Sequence, residues 1–192
     1  QKNSDKKERI RESGKQIFSQ LGFKDAKVAA ITANAGLATG TFYNYYSSKD
    51  SLFMEIFLEE NQLLKKQIMK ETDLGADPLI VLQQLMQKNE KGMRQNPILC
   101  EWYNRNTFIT IERKYREENG LDHMNYMYGI FLNLIKKWQA EGTFRTDIQP
   151  KMIMAMFTSI ITLDLHKDEI GMEFFPQLLH YLMQFVMKGL ME

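Results

Sequence analysis

The stretch Gly36–Leu52, GLATGTFYNYYSSKDSL, places three tyrosines, Tyr43, Tyr45 and Tyr46, within four consecutive residues. It begins with small residues and carries Lys49 near its end. A buried tyrosine fills a core and gives its hydroxyl one partner, whereas an exposed one offers the hydroxyl to something else. The flanking pattern decides between these roles. Val28, Ile31 and Ala35 lie at helical spacing before the stretch, and Phe42 and Tyr46 stand four apart within it. Between the two segments lies only Gly36-Leu37-Ala38, a tight turn with a glycine available for positive φ. Ser47-Ser48-Lys49-Asp50 then carries a helix-capping signature, an acid three residues after Ser47. Two helices joined by a short glycine-containing turn make a helix-turn-helix, whose second helix enters the DNA major groove.

In that arrangement Phe42 and Tyr46 face a small core, while Thr39, Gly40, Tyr43 and Asn44 face outward, with Thr41 and Tyr45 on the flanks. Small residues at the helix start allow close approach to the bases, and asparagine pairs bidentately with adenine. Tyrosine hydroxyls suit phosphate oxygens. Lys49, at the start of the next helix, adds a cation to N–H groups already oriented toward an anion. Helix-turn-helix geometry also serves proteins that bind no DNA, in which these residues would only cap and pack.

Upstream, Ile10, Gly14, Ile17, Phe18 and Leu21 predict a first helix ended by Gly22. Downstream, Leu52, Phe53, Ile56, Phe57, Leu63, Leu64 and Ile68 predict one long amphipathic helix over about 48–70. Net charge over the whole chain is +1, but residues 1–50 hold nine Lys/Arg against five Asp/Glu, leaving an acidic remainder. A basic end on an acidic body points to a polyanion met by that end.

The remaining composition excludes several classes. A chain of 192 residues is long enough to bury a substantial core. The single cysteine, Cys100, cannot form an intramolecular disulfide. No apolar run approaches the ~18 residues of a membrane span, and the first residues are polar, so the expected location is the cytoplasm. No Gly-rich phosphate loop, nucleophile elbow or Cys/His dyad is present, so no enzyme is expected and no cofactor is implied. Asp122-His123 and Asp164 with His166 are two-residue pairs without a third ligand, so no metal site is expected.

The segments Gly22-Phe23 through Ile31, Ala35-Gly36-Leu37, Gly40-Thr41-Phe42-Tyr43, Tyr45-Tyr46 and Ser48-Lys49-Asp50-Ser51-Leu52 together resemble the TetR family of transcriptional regulators. The resemblance covers about a quarter of the chain. It implies an all-α protein with a three-helix DNA-binding domain at 1–47 and a larger helical domain for ligand binding and dimerisation at 48–192. It also implies that Thr39, Gly40 and Asn44 read bases while Thr41, Tyr43, Tyr45 and Lys49 contact the DNA backbone. This chain departs from the family at three places. Ala26-Lys27 stands where a Ser or Thr usually caps the second helix, Thr32 where Ala is usual, and Ala38 where Ser precedes the recognition helix. A lost capping hydroxyl costs ~1 kcal/mol, and Lys27 offers a phosphate contact in exchange.

The body reads as further helices. Asp77-Pro78 and Asn96-Pro97 place a capping residue before a proline, and Pro150 opens another helix. A segment from Met124 to Gly142 carries apolar residues on several sides, and the last helix carries Phe174 through Val186. The final two helices are too apolar for an exposed chain end. With the family's habit of a four-helix seam, this predicts a homodimer through Phe157, Ile161, Phe175, Leu178, Leu182 and Val186, matching a palindromic double-stranded operator. Nine of the 13 methionines follow residue 120, and methionine adapts to irregular apolar shapes. A pocket for a small apolar effector lined by Trp102, Tyr103, Phe131 and Trp138 is therefore expected, against the plainer reading of ordinary core. Glu101 beside Trp102-Tyr103 would suit a lipophilic cation there, or lie solvated on a helix surface. The functional expectation is a repressor that the effector releases from its operator. Two alternatives stay open: a DNA-binding protein without an effector, and a helical apolar-ligand-binding protein.

Overall fold

A computed structural model describes residues 2–117 and 125–191; the Asp122-His123 pair lies outside them. The described residues are mostly helical, without a strand among them. In chain order the helices are α1 (Lys2–Asp25), α2 (Val28–Asn34), α3 (Thr39–Phe42), α4 (Lys49–Glu71), α5 (Pro78–Gln95), α6 (Phe108–Glu117), α7 (Asn125–Ala140), α8 (Pro150–Thr162), α9 (Lys167–Ile170) and α10 (Gln177–Met191). A 3₁₀ turn, Leu99–Tyr103, stands between α5 and α6.

The expected starts at Pro78 and Pro150 are found, and Asp77 caps α5 by accepting from the Leu79 N–H at 2.9 Å. Asn96 caps as expected, taking the Ile98 N–H at 2.9 Å, but the element it opens is the 3₁₀ turn rather than an α-helix. At the head of α4 the cap lies one residue later than the sequence suggests. Ser48, not Ser47, accepts the N–H of Ser51 at 3.1 Å. The helix expected to end at Gly22 breaks there (φ 78°, ψ 169°) and resumes for a last turn to Asp25.

Packing gathers the chain into two units, one of residues up to 66 with those from 91 to 117, the other of residues 67–90 with those from 125 on. The first unit thus takes in more than residues 1–47: the early turns of α4 and the segment after Lys91 belong to it. Its core is built of aromatic side chains. Phe53 meets Phe18 and Phe23 with ring centroids 5.0 and 4.8 Å apart, Phe57 lies 6.1 Å from Phe53, Trp102 5.9 Å from Phe57, and Phe108 5.0 Å from Trp102. Gly14 lets α1 approach α4, since a Cβ there would sit 2.7 Å from Leu52 Cδ2. Across the same helix pair, Lys7 bridges to Glu55 at 3.0 Å, Arg11 to Glu59 and Lys15 to Glu60. Basic residues every fourth position on α1 thus face acids on α4.

The second unit packs α7 on α8 and α8 on α10. Trp138 meets Phe144 at 5.0 Å, and Arg145 ties its loop to the end of α10 through its N–H on the Leu190 carbonyl at 2.8 Å. The apolar residues on the last helices divide by direction. Phe175, expected at a dimer seam, is 9% exposed and belongs to the subunit core. Phe157, Leu178, Leu182 and Val186 are half-buried. Facing solvent are Met152 (56% exposed), Met156 and Ile161 on α8, and Tyr181 (50%) and Phe185 (62%) on α10. The outward stripe therefore runs about one residue ahead of that expected on α10.

Candidate nucleic-acid interface

The turn between α2 and α3 is built as its sequence requires. Gly36 takes φ 66°, a left-handed conformation that ends α2. The turn's carbonyls need donors, and Arg9 on α1 supplies one: its Nη2 donates to the Ala35 carbonyl at 2.6 Å. Ser13 donates to the Ile31 carbonyl at 2.6 Å and accepts from Asn34 Nδ2 at 2.9 Å, fixing α2 against α1. Thr32, where the family has alanine, is fully buried and gives its hydroxyl to the Val28 carbonyl at 3.0 Å. Neither Lys27 nor Ala38 caps its helix with a side chain, as their residue types foretell.

α3 is short, four residues, with Tyr43–Tyr45 in the following turn. Its two directions are as expected. Phe42 and Tyr46 are buried with ring centroids 5.6 Å apart. Thr39, Gly40, Tyr43 and Asn44 are exposed, Thr41 and Tyr45 half-buried, and Lys27 exposed at the start of α2. The three tyrosines thus split: Tyr46 is core, Tyr43 is surface, and Tyr45 lies at the boundary.

Tyr46 donates its hydroxyl to Glu55 Oε1 at 3.1 Å, while Lys7 lies over its ring at 5.3 Å. Burial first, and the Glu55 carboxylate second, push its phenol above the ordinary tyrosine value. The neutral phenol is thus favoured in the folded chain. Its contribution to stability is complete below about pH 10, the unfolded value, and is lost as pH rises through the folded one. Urea midpoints from pH 8 to 11 should therefore fall on the alkaline side, and Tyr46→Phe should flatten that limb. Equal alkaline slopes in both proteins would show that Tyr46 does not titrate in this way.

Lys49 differs from expectation. Its ammonium is turned back onto the end of α1, donating to the carbonyls of Phe23 at 2.7 Å, Ala26 at 3.1 Å and Lys24 at 3.3 Å, over the Phe23 ring at 4.7 Å. Burial lowers its pKa, opposed by Asp50 and Asp25. All three of its donors are taken. The exposed bases beside the start of α2 are Lys24 and Lys27. Arg9 as a brace of the turn escapes a reading of the sequence that weighs only its charge; the signal is Gly36, whose positive φ leaves carbonyls in need of a donor.

The residues expected to line an effector pocket fall in both units. Trp102 is buried in the aromatic core of the first unit, and Tyr103 lies under Arg94, 4.5 Å from its ring. Phe131 is half-buried and Trp138 buried in the second unit. Glu101 is not solvated: it is buried, and its oxygens accept from Phe23 N–H, Thr107 and Asn104. His166 faces Glu169 at 3.3 Å, and Asp164 faces Lys167 at 3.7 Å. No helix among the described residues is long and apolar enough to cross a membrane.

Known proteins resemble this chain in sequence over its first part and in fold over most of its length. The sequence model of bacterial regulatory proteins of the tetR family matches residues 10–56. The HTH-type transcriptional repressor KstR of Mycobacterium tuberculosis is 27% identical over 97 residues, 50% of this chain and 44% of its own. The HTH-type transcriptional regulator UidR of Escherichia coli is 33% identical over 54 residues, 28% of each chain. The chain thus spans less than half the length of the curated relatives it matches. Over nearly the whole chain the likeness is one of fold. SmeT, the repressor of the Stenotrophomonas maltophilia multidrug efflux pump SmeDEF, aligns with a TM-score of 0.64 at 15% identity, covering 96% of this chain and 90% of that one. Bacillus subtilis FadR, solved with stearoyl-CoA, aligns at 0.58 and 15%, covering 96% and 97%. The matched segment contains the turn after α2, the two-faced α3 and the capped start of α4, and it is over this segment that the chain resembles the bacterial regulatory proteins of the tetR family.

Proposed function

We propose that the chain is a DNA-binding transcriptional regulator, a repressor that binds a palindromic operator as a homodimer and leaves it when a small apolar effector binds. The observation that carries this reading is the division of α3 and its flanking turn into an inward face of Phe42 and Tyr46 and an outward face of Thr39, Gly40, Tyr43 and Asn44. On this reading residues 1–47 read DNA, and residues 48–192 bind the effector and the second copy. Thr39, Gly40 and Asn44 reach base edges. Tyr43, Thr41 and Tyr45 position the head on phosphates, with Lys27 supplying a cation. Support for repression comes from KstR and SmeT, both named as repressors. Support for the dimer comes from the outward apolar stripe on α8 and α10.

Selection from a random duplex pool should return an inverted repeat. Asn44→Ala should relax preference at one base position in each half-site and cost ~1–3 kcal/mol there. Lys27→Ala should weaken binding evenly across sequences and lower the salt slope by about one contact per subunit. A pool that shows no enrichment after repeated rounds would remove the DNA-binding reading and leave an apolar-ligand protein.

A further inference from the structure

Phe23 is held at both of its backbone groups by charged side chains from distant parts of the chain. Its carbonyl accepts from Lys49 Nζ at 2.7 Å, and its N–H donates to Glu101 Oε1 at 3.3 Å. Glu101 is only 8% exposed, and its second oxygen accepts from the Thr107 hydroxyl at 2.7 Å and from Asn104 Nδ2 at 3.2 Å. A buried carboxylate needs this number of donors, and none can be withdrawn without loss.

The backbone is shaped to meet it. Gly22 adopts φ 78° and ψ 169°, a region open essentially to glycine alone, and a Cβ there would lie 3.2 Å from Glu101 Oε1. The neighbouring Trp102 packs against Phe57 and Phe108. Residues 99–108 therefore hold the end of α1 through the Glu101 carboxylate and pack on α4 through Trp102. α2 starts five residues after Phe23 without a side-chain cap of its own, and α3 packs on α2. The placement of α2 and α3 thus depends on the α1–α2 junction together with the Ser13 and Arg9 contacts from α1.

We propose that Glu101 is a positioning residue for operator binding, acting through the Phe23 amide on the α1–α2 junction, so that residues 99–108 set the pose of the DNA-reading helices. The inference rests on the DNA-binding reading above. A carboxylate shared between Phe23 and Thr107 has one arrangement that satisfies both, and a shift of the 99–108 segment would surrender the Phe23 bond first, because that bond is the longer of the two. The same link runs backward: DNA held by α3 would restrain Glu101 and its surroundings.

The test uses the full chain and its selected operator. Glu101→Ala should weaken operator binding about tenfold, and Glu101→Gln, whose amide oxygen still accepts from Phe23 while its NH2 faces the Thr107 and Asn104 donors, should recover about half of that loss on a logarithmic scale. Thr107→Val should weaken binding about threefold alone and add nothing in the Glu101→Ala background, since both act on one link. Hydrogen exchange at the Phe23 amide should quicken in each weakened variant, a change that general destabilisation would not confine to that site. A folded Glu101→Ala protein that binds within twofold of the original overturns the proposal, as do additive effects of the two substitutions. Should Glu101→Ala not fold, Thr107→Val decides: unchanged affinity or unchanged Phe23 exchange overturns it. An operator bound by the original chain, weakened by Asn44→Ala but indifferent to Glu101, sinks this inference alone, whereas failure to select any operator sinks the DNA-binding reading beneath it.

Discussion

Replacing Tyr181 and Phe185 with glutamate is expected to yield monomers and to abolish operator binding at concentrations where the unaltered protein saturates its site. Both side chains are at least half exposed in the subunit, so the substitutions leave its core intact and helicity should be preserved. At a two-fold seam the same patch of both subunits is buried, so four carboxylates would be enclosed in one interface. Uncompensated buried charges cost ~3–5 kcal/mol each, and their sum rivals the ~12 kcal/mol that holds a nanomolar dimer. Operator binding falls with assembly because one head supplies only half the contacts. Sedimentation velocity checks the first outcome and a binding titration the second. A dimer that survives both substitutions places the interface off α8 and α10. The half-buried Leu178 and Leu182 are poorer probes, because a carboxylate there would also damage packing within the subunit.

The second large effect is expected at Lys49, and it is a loss of stability rather than of DNA charge. Lys49→Met should lower the unfolding free energy by about 3 kcal/mol, since hydrogen bonds to a charged group contribute roughly 1.5–3 kcal/mol each before the desolvation of the ammonium is set against them. Three carbonyls at and just past the end of α1 lose their donor at once. The slope of operator affinity against salt should stay as it was, because the ammonium faces protein rather than phosphate. Urea unfolding and a salt series separate these outcomes. A slope reduced by about one contact per subunit with stability unchanged would return Lys49 to the DNA backbone.

Lys49 and the α10 stripe mark where a sequence can be read and where it cannot. The glycine turn, the Phe42/Tyr46 spacing and the proline helix starts are local signals, each fixed by a few neighbouring residues, and all are legible. What Lys49, Arg9 and Glu101 do depends on partners 23–78 positions away in the chain. No window of sequence contains such a pair. The same limit explains Phe175: periodicity finds an apolar face on a helix but cannot say whether another helix of the same subunit already covers it. The capping shift from Ser47 to Ser48 is a smaller failure, one residue in a run of two serines that offer the same hydroxyl.

The ion pairs between α1 and α4 change how the basic start of the chain should be understood. Lys7, Arg11 and Lys15 belong to the cations of residues 1–50, yet each meets an acid at 55, 59 or 60, just past the end of that span. Seen from a distance, the head is far closer to neutral than its first fifty residues suggest. Weak long-range attraction means weak retention on random DNA, where affinity comes almost wholly from displaced counterions. On the proposed DNA-binding reading, such a head would hold random duplex weakly and owe its occupancy to base contacts made at the operator itself.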